Sequence, residues 1–404
     1  MVKNLLLILE SIALIYLVFN IFYITIYSLG SFLYKRTNFK VSVAKQNKFA
    51  ILIPAYKSDE IILNTAQESL FQTYDKKFFD IIVIGDSLQE TTLNKLIEMD
   101  LKLIPVQFEI STKAKSLNTA LALLPEVYDY CCVLDVDNIM EYDFLRKINV
   151  RLQNNEMCVQ AHRTAKNTNT SFAVLDGMSE EINNNIFRKG HIGLGVSSAL
   201  IGSGFVIQYN YFKEILLSIE SPVEDKELEI ILLRDKNKIL YESDAYVYDE
   251  KVASSGVFVN QRRRWIASQF YDFNKVFFDC IVELLVNKNF DFFDKAMQKI
   301  LLPRVLLLGV SGLSTFTVFF SSFTFGIFFI VLFLLCSLSF FIGIPKKYYN
   351  IKTVVASLSL PKAIFLMIVA LLRSKGAANK KFIHTKHEFV EELEITNINE
   401  RDNI

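Results

Sequence analysis

The chain has 404 residues, 51% of them hydrophobic, with mean hydropathy +0.29, net charge +1 and pI about 7.6. That length accommodates more than one domain, and that hydropathy is high for a purely soluble protein, so membrane segments are expected. The near-neutral charge leaves no basic footprint for nucleic acid, and the five cysteines show no CxxC pair, which argues against a disulfide framework or a structural zinc site.

The first apolar stretch, about Leu5 to Leu29, carries Glu10 as its one charge and is long enough to cross a bilayer. It is too long for a cleaved signal peptide and reads as an anchor within residues 1–34. Lys35, Arg36, Lys40, Lys45 and Lys48 follow it against Lys3 ahead of it, so the next domain is expected in the cytoplasm, at the plasma (inner) membrane. From 47 to 250, strand-like and helix-like runs alternate. FAILIPAY, through Pro54 to Tyr56, reads as a strand, and SDEIILNTAQESLFQ reads as a helix capped at Ser58 or Asp59. FDIIVIGDS is a second strand ending at Asp86, and LIPVQFE, YCCVLDVDN and MCVQAHR supply further strands. This order predicts an α/β domain with a largely parallel sheet, whose ligands bind beyond the carboxyl ends of the strands. Tyr56, Asp86 and the pair Asp135 and Asp137 are then expected on one edge.

In DVDN, side chains of an extended segment repeat every second residue, so Asp135 and Asp137 project together and can converge on one cation. A polar strand end capping a turn also explains an isolated DxD. Gathering Asp86 on the same edge favours the cation, and a hard divalent ion takes the oxygens of a diphosphate to complete its shell. STKAKSLNTAL places Lys113 and Lys115 before a helix at Asn118, facing the same edge or solvent. SPVEDKELEIILLRDK starts a helix at Pro222, with Glu224 and Asp225 in the first turn, where free N–H groups favour carboxylates whether or not they do chemistry.

Residues 251–299 hold NQRRRWIASQF, with the single tryptophan, and are expected to contain interfacial helices. On a helix Gln261, Arg264 and Trp265 share one face while Arg262 and Arg263 turn elsewhere. A guanidinium suits a phosphate and an indole suits a sugar face, while a basic helix resting on anionic lipid is the competing reading. A membrane hairpin is expected over 300–345, from Ile300 to Phe320 and Phe323 to Ile344, with Arg304 near its start and Lys346 and Lys347 at its close. Over 352–404, the stretch Val354 to Leu372 is broken by Pro361 and Lys362 and followed by Arg373, Lys375, Lys380 and Lys381. A fourth span would put those charges outside, so an interfacial helix and a cytoplasmic tail are expected. His384 and His387 stand three apart without further metal ligands and read as part of that tail.

Taken in order, ILIPAYKSDE, IIVIGDS, TKAKSLNTAL, DVDN, GSGFVIQ, VEDKELEIILL and QRRRW resemble the membrane-embedded family 2 glycosyltransferases, which include cellulose, hyaluronan and poly-N-acetylglucosamine synthases. The resemblance implies a GT-A fold, a nucleotide-sugar donor, usually UDP-linked, Mg2+ or Mn2+, and inversion at the anomeric carbon. By the same resemblance Pro54, Tyr56, Asp86, Lys113, Asp135 and Arg264 lie along the donor. Asp137 binds the metal with Asp135, and Asp225 beside Glu224 is the general base. Gly202, Ser203, Gly204, Gln261 and Trp265 face the acceptor. The chain departs from the pattern at Gly85, where the family often has a second aspartate, and at Val223, where it has threonine. It also has fewer spans than the polymer-extruding members. A growing polysaccharide is the expected acceptor; a membrane lipid such as a polyprenyl phosphate or a ceramide-like lipid is the alternative, and a silent scaffold or nucleotide sensor a lesser one. Secretion partners are not readable.

Overall fold

In a computed structural model, which describes residues 2–39, 45–219, 224–251 and 255–374, FAILIPAY forms strand β1, Phe49–Tyr56. Its alternate residues enter two cores. Ala50 and Leu52 pack with Leu117 and Leu121 of helix Lys113–Leu123, whereas Phe49, Ile51 and Ile53 pack with Ile62, Phe144 and Ile148. Burial on both faces explains why the run is continuously apolar. The other strands are β2 Phe79–Asp86, β3 Lys102–Val106, β4 Tyr130–Val133, β5 Ile139–Met140, β6 Cys158–Ala165, β7 Phe205–Gln208 and β8 Ile239–Asp249. They form one sheet in the order β3-β2-β1-β4-β7-β6-β8-β5.

The first four strands in that order are mutually parallel and β6 is parallel to β8, while β7 and β5 run against their neighbours. The sheet is therefore mixed, and β5 and β7 are the exceptions to the expected parallel arrangement. Register sets the edge: Tyr56 lies level with Asp86, and Leu52 with Val133, the last residue of β4. Leu134 N–H still bonds Leu52 C=O at 3.0 Å, after which β4 leaves the sheet toward Asp135. Backbone groups of alternate residues face the same neighbour, so the N–H that Pro54 lacks would point past the end of β4. A proline is thereby tolerated inside a central strand.

Among the described residues three helices are long and apolar enough to cross a membrane, Glu10–Leu33, Arg304–Ser321 and Phe323–Ile342, and Ile351–Ser357 with Leu360–Leu372 make a further candidate bent by 48°. Small and hydroxyl residues join them. Ser28 Oγ donates to Ser339 C=O at 2.8 Å, Ser339 Oγ to Thr25 Oγ1 at 3.0 Å, and Thr315 Oγ1 to Phe329 C=O at 3.0 Å. Helix Ser255–Asn287 runs from these apolar helices onto the sheet domain: Ile266 packs with Leu306, Met367 and Ala370, and Val276 and Cys280 enter the core below the sheet. Lys40, Pro222, Val223, Lys375, Lys380, Lys381, His384 and His387 lie outside the described residues.

Candidate active site

The carboxyl edge of the sheet collects the expected side chains. Asp86 ends β2 fully buried; its Oδ1 accepts from Ser87 Oγ at 2.9 Å, and its Oδ2 is buried without a hydrogen-bond partner. A buried carboxylate oxygen left unpaired is costly unless a ligand donor reaches it. Because β7 runs opposite to β4, the loop Gly202–Gly204 ahead of β7 returns to the same edge. Ser203 is fully buried there; its Oγ accepts from Asp135 N–H at 2.9 Å and donates to Asn138 Oδ1. Ser203 thus holds the DVDN turn, and its hydroxyl is committed to that task rather than offered to an acceptor.

Lys113 is the first residue of its helix, whose N-cap is the Thr112 hydroxyl. Its Nζ donates to Asp135 Oδ1 at 2.5 Å and to Gly202 C=O at 2.6 Å, and lies 3.4 Å from Glu224 Oε1. One ammonium therefore ties the DxD, the glycine loop and the helix Glu224–Arg234 together. Burial alone would depress this lysine, but Asp135 and Glu224, with Asp225 behind them, raise it above its ordinary value. Burial pushes the Glu224 carboxyl up to about 7 although Lys113 opposes the shift, and Asp225 adds to it.

Asp225 is turned the other way. A Cβ on Gly202 would lie 3.5 Å from Asp225 Oδ2, and the positive φ of Gly202, +73°, suits the missing side chain. Glu224 therefore faces Lys113 and the DxD, while Asp225 faces the open backbone of the glycine loop.

Asp137 is buried beside further carboxylates. Asn138 Nδ2 donates to Asp137 Oδ1 at 3.2 Å and to Asp249 Oδ1 at 2.9 Å. Burial first, then Asp249 and Asp135, pushes the Asp137 carboxyl up to about 7. Among the described residues no group of three or more His, Cys, Asp or Glu side chains is placed to hold a metal ion by itself. The donor set nonetheless fits a cation completed by diphosphate oxygens, because three acidic groups crowd together and a divalent charge would relieve their repulsion.

Asp249, Lys251, Arg163 and Glu180 were not expected. Asp249 ends β8, which pairs with β5 directly after DVDN. Lys251 Nζ donates to Asp249 Oδ2 at 2.5 Å and to Glu180 Oε2 at 3.1 Å, and Arg163 Nη2 donates to Glu180 Oε2 at 3.0 Å. This buried quartet props the DVDN turn from behind. A run of β-prone residues ending in aspartate, YVYD, was its signal, the same signal that marks Asp86.

On helix Ser255–Asn287, Gln261 Oε1 is buried without a hydrogen-bond partner and Trp265 is 43% exposed. The side chain of Arg264 lies outside the described ones. Arg262, expected to turn away, reaches one turn along the helix instead: its guanidinium sits 4.4 Å from the Trp265 ring centroid and pairs with Asp176 of helix Ser171–Asn183. Residues three apart on a helix are neighbours, and the indole face attracts the cation.

Residues 46–268 match the family described as "Glycosyltransferase like family 2". The match covers more than half of the chain, and the chain belongs to that family. The sheet is that of the GT-A glycosyltransferases. The mannosyltransferase PcManGT from Pyrobaculum calidifontis, solved with GDP-Man and Mn2+, is 13% identical with TM-score 0.51, over 83% of this chain and 97% of that one. TarS from S. aureus is 17% identical with TM-score 0.36, over 55% of this chain and 39% of that one, so the chain spans well under half of TarS. Glucosyl-3-phosphoglycerate synthase from Mycobacterium tuberculosis, solved with Mn2+ and UDP, is 15% identical with TM-score 0.35, over 51% of this chain and 73% of that one. A search of curated proteins found no match.

Proposed function

We propose that this family 2 glycosyltransferase is inverting and metal-dependent, and that it moves a sugar from a nucleotide-sugar donor onto a growing polysaccharide at the cytoplasmic face of the plasma (inner) membrane. One observation carries the reading: Lys113 joins Asp135 to Glu224 while Asp225 stands against Gly202, so the donor carboxylates and the base lie side by side on one sheet edge. Asp225 takes the proton of the acceptor hydroxyl as that oxygen attacks the anomeric carbon. The bond from that carbon to the diphosphate oxygen breaks, and the nucleoside diphosphate leaves with the electron pair. Asp86 meets the nucleoside through its unpaired oxygen. Trp265 offers its ring to the acceptor sugar, with Gln261 beside it, and Arg264 stands to the leaving diphosphate. Asp137 and Asp135 would hold a Mg2+ or Mn2+ ion, which would supply charge neutralisation for that diphosphate. The bound GDP-Man and Mn2+ of PcManGT, which shares the fold, support a nucleotide-sugar donor and a metal; UDP is the family's usual carrier.

Single-sugar transfer to a membrane lipid is the second reading, and it is favoured by the direct contact among the three spanning helices. A Cβ on Gly312 would come 3.3 Å from Phe333 and one on Gly326 2.7 Å from Phe319, so the glycines let the helices close, and the hydroxyls of Thr25, Ser28 and Ser339 bond across the helices. The test incubates membranes containing the chain with Mn2+ or Mg2+ and a panel of radiolabelled nucleotide sugars, with Asp137→Ala as control, and separates products by size and by solvent extraction. A high-mass ladder establishes polymerisation, and one extractable species establishes the lipid reading. Activity equal in Asp137→Ala refutes both.

A further inference from the structure

Helix Ser171–Asn183 presents Phe172, Asp176 and Ser179 along one face, at i, i+4 and i+7. Three cations from three different elements meet that face. Lys362 of helix Leu360–Leu372 lies 5.5 Å from the Phe172 ring centroid. Arg262, beside Trp265, pairs with Asp176. Arg304, the first residue of the spanning helix, donates Nη2 to Ser179 Oγ at 2.7 Å. Arg262 is close enough to Arg304 to repel it. Among the described residues neither Arg304 nor Lys362 forms an ion pair with a carboxylate, and Glu180, next to Ser179, is committed to Arg163 and Lys251. Arg304 has the Ser179 hydroxyl and the Phe187 ring, 6.0 Å from its guanidinium, as partners, and Asp176 and Glu180, which also attract it, are paired with other cations, so a further anion would offset the cost of burying it.

We infer that this face binds the phosphate or diphosphate that links an acceptor to its lipid. The inference deepens the proposed function, and it rests on Trp265 being the acceptor end of the site. The three contacts extend over about 10 Å of helix, which suits one or two phosphate groups rather than a flat sugar. Ile266, on the helix that carries Trp265, packs against Leu306 and Met367, so the cations and the indole share one boundary with the membrane helices. A lipid tail in the leaflet, its phosphate on Arg304 and Lys362 and its sugar at Trp265, satisfies all three features.

Trp265 is the only tryptophan of the chain, which makes its fluorescence the reporter. The full chain in phosphatidylcholine liposomes, with EDTA to keep the donor site free of metal, is titrated with farnesyl diphosphate, farnesol and inorganic pyrophosphate. Liposomes enriched in phosphatidylglycerol form a fourth arm. Farnesyl diphosphate is expected to saturate the signal at a concentration at least about ten-fold lower than the other three probes, and Arg304→Gln to weaken it about ten-fold. Lys362→Gln is expected to weaken it as well, and it carries the test if Arg304→Gln does not fold; Arg304→Lys should restore part of the affinity. Equal binding of farnesol, of pyrophosphate or of the phosphatidylglycerol surface overturns the inference, as does unaltered binding in both variants. Donor hydrolysis is measured on matched samples in which Mn2+ replaces the EDTA. Its absence in the wild-type chain refutes the enzymatic reading while leaving the binding titration to stand or fall by itself.

Discussion

Replacing Lys113 by methionine removes the one cation shared by Asp135 and Glu224. The ammonium lies 2.5 Å from Asp135 Oδ1, 2.6 Å from Gly202 C=O and 3.4 Å from Glu224 Oε1. Breaking a buried pair by deleting one partner costs about 3–5 kcal/mol. Asp135 keeps 35% of its side-chain surface, and Glu224, already raised to about 7, takes up a proton readily, so the cost falls to about 2.5 kcal/mol. For a domain of this size that is a fall of about 5–10 °C in Tm. The assay is thermal unfolding of the detergent-solubilised full chain, followed by near-UV circular dichroism. Mn2+ with UDP should narrow the gap, because a dication at Asp135 and Asp137 replaces part of the lost charge. Lys113→Arg should retain most of the stability. A methionine variant as stable as wild type without ligand would mean that the ammonium is not bound between the carboxylates, and the geometric basis for the donor site would fail.

Asp225→Asn is expected to keep donor affinity in a calorimetric titration and to lose about a hundred- to ten-thousand-fold in turnover; normal turnover removes Asp225 as the base. Because Asp137 titrates near 7 and must be ionised to hold a metal, apparent Mn2+ affinity should fall about ten-fold per pH unit below that point and level off above it. Asp249→Asn should move the break downward, and a pH-independent affinity would contradict the assignment. The sign for stability is opposite: Asp137 and Glu224 hold protons in the native state that the unfolded chain has released, so the metal-free protein should weaken as pH climbs from about 4 to about 7. Gly202 and Gly204 both have positive φ, but a Cβ on Gly204 would come within 3.0 Å of Val247, against 3.5 Å from Asp225 for Gly202. Gly204→Ala should therefore unfold at lower temperature than Gly202→Ala, beyond the backbone strain of about 1–2 kcal/mol that both share; the reverse order would discount the contact.

The strands that carry Asp86 and the DxD were legible because burial on both faces leaves a continuous apolar run with an abrupt polar end. Strand β8 was not, although it supplies Asp249. Its register against β6 jumps between Ala161 and His162, from Glu242 to Tyr246, so Ser243, Asp244 and Ala245 fall out of the ladder. A bulge of that kind breaks the alternation on which a strand is recognised. Glu180, Arg163 and Lys251 escaped for a different reason: each resembles an ordinary surface charge until the topology brings them together, and then each is buried because the others are. Ser203 shows the limit in another way. Its place beside the glycines was visible, but the bonds to Asp135 and Asn138 depend on β7 running back along β4.

Helix Glu224–Arg234, which carries the proposed base, and the apolar helix Val2–Gly30 are parts of one packed unit. Gly190 and Gly193 touch that apolar helix backbone to backbone; a Cβ on either would come 1.9 Å from Tyr27 C=O or 2.1 Å from Gly30 C=O. Tyr23 and Tyr27 hydroxyls, at 3.0 Å and 2.5 Å, both donate to Asp294 Oδ1, and His191 lies 3.1 Å from the other oxygen. The next residue, Lys295, pairs at 3.4 Å with Glu229 of helix Glu224–Arg234, and Glu229 also accepts from Leu200 N–H at 2.8 Å, ahead of the glycine loop. From the far side, Lys347 at the close of the apolar hairpin reaches Glu181 at 3.0 Å, next to the Glu180 that props DVDN. Buried polar contacts of this kind lose their full worth when geometry slips, because each group left behind is unpaired. They hold Asp225 and the DxD at a set height relative to the apolar helices. Under the proposed function, a soluble acceptor would gain nothing from that constraint, whereas an acceptor held at the membrane would have to meet the proposed base at one depth.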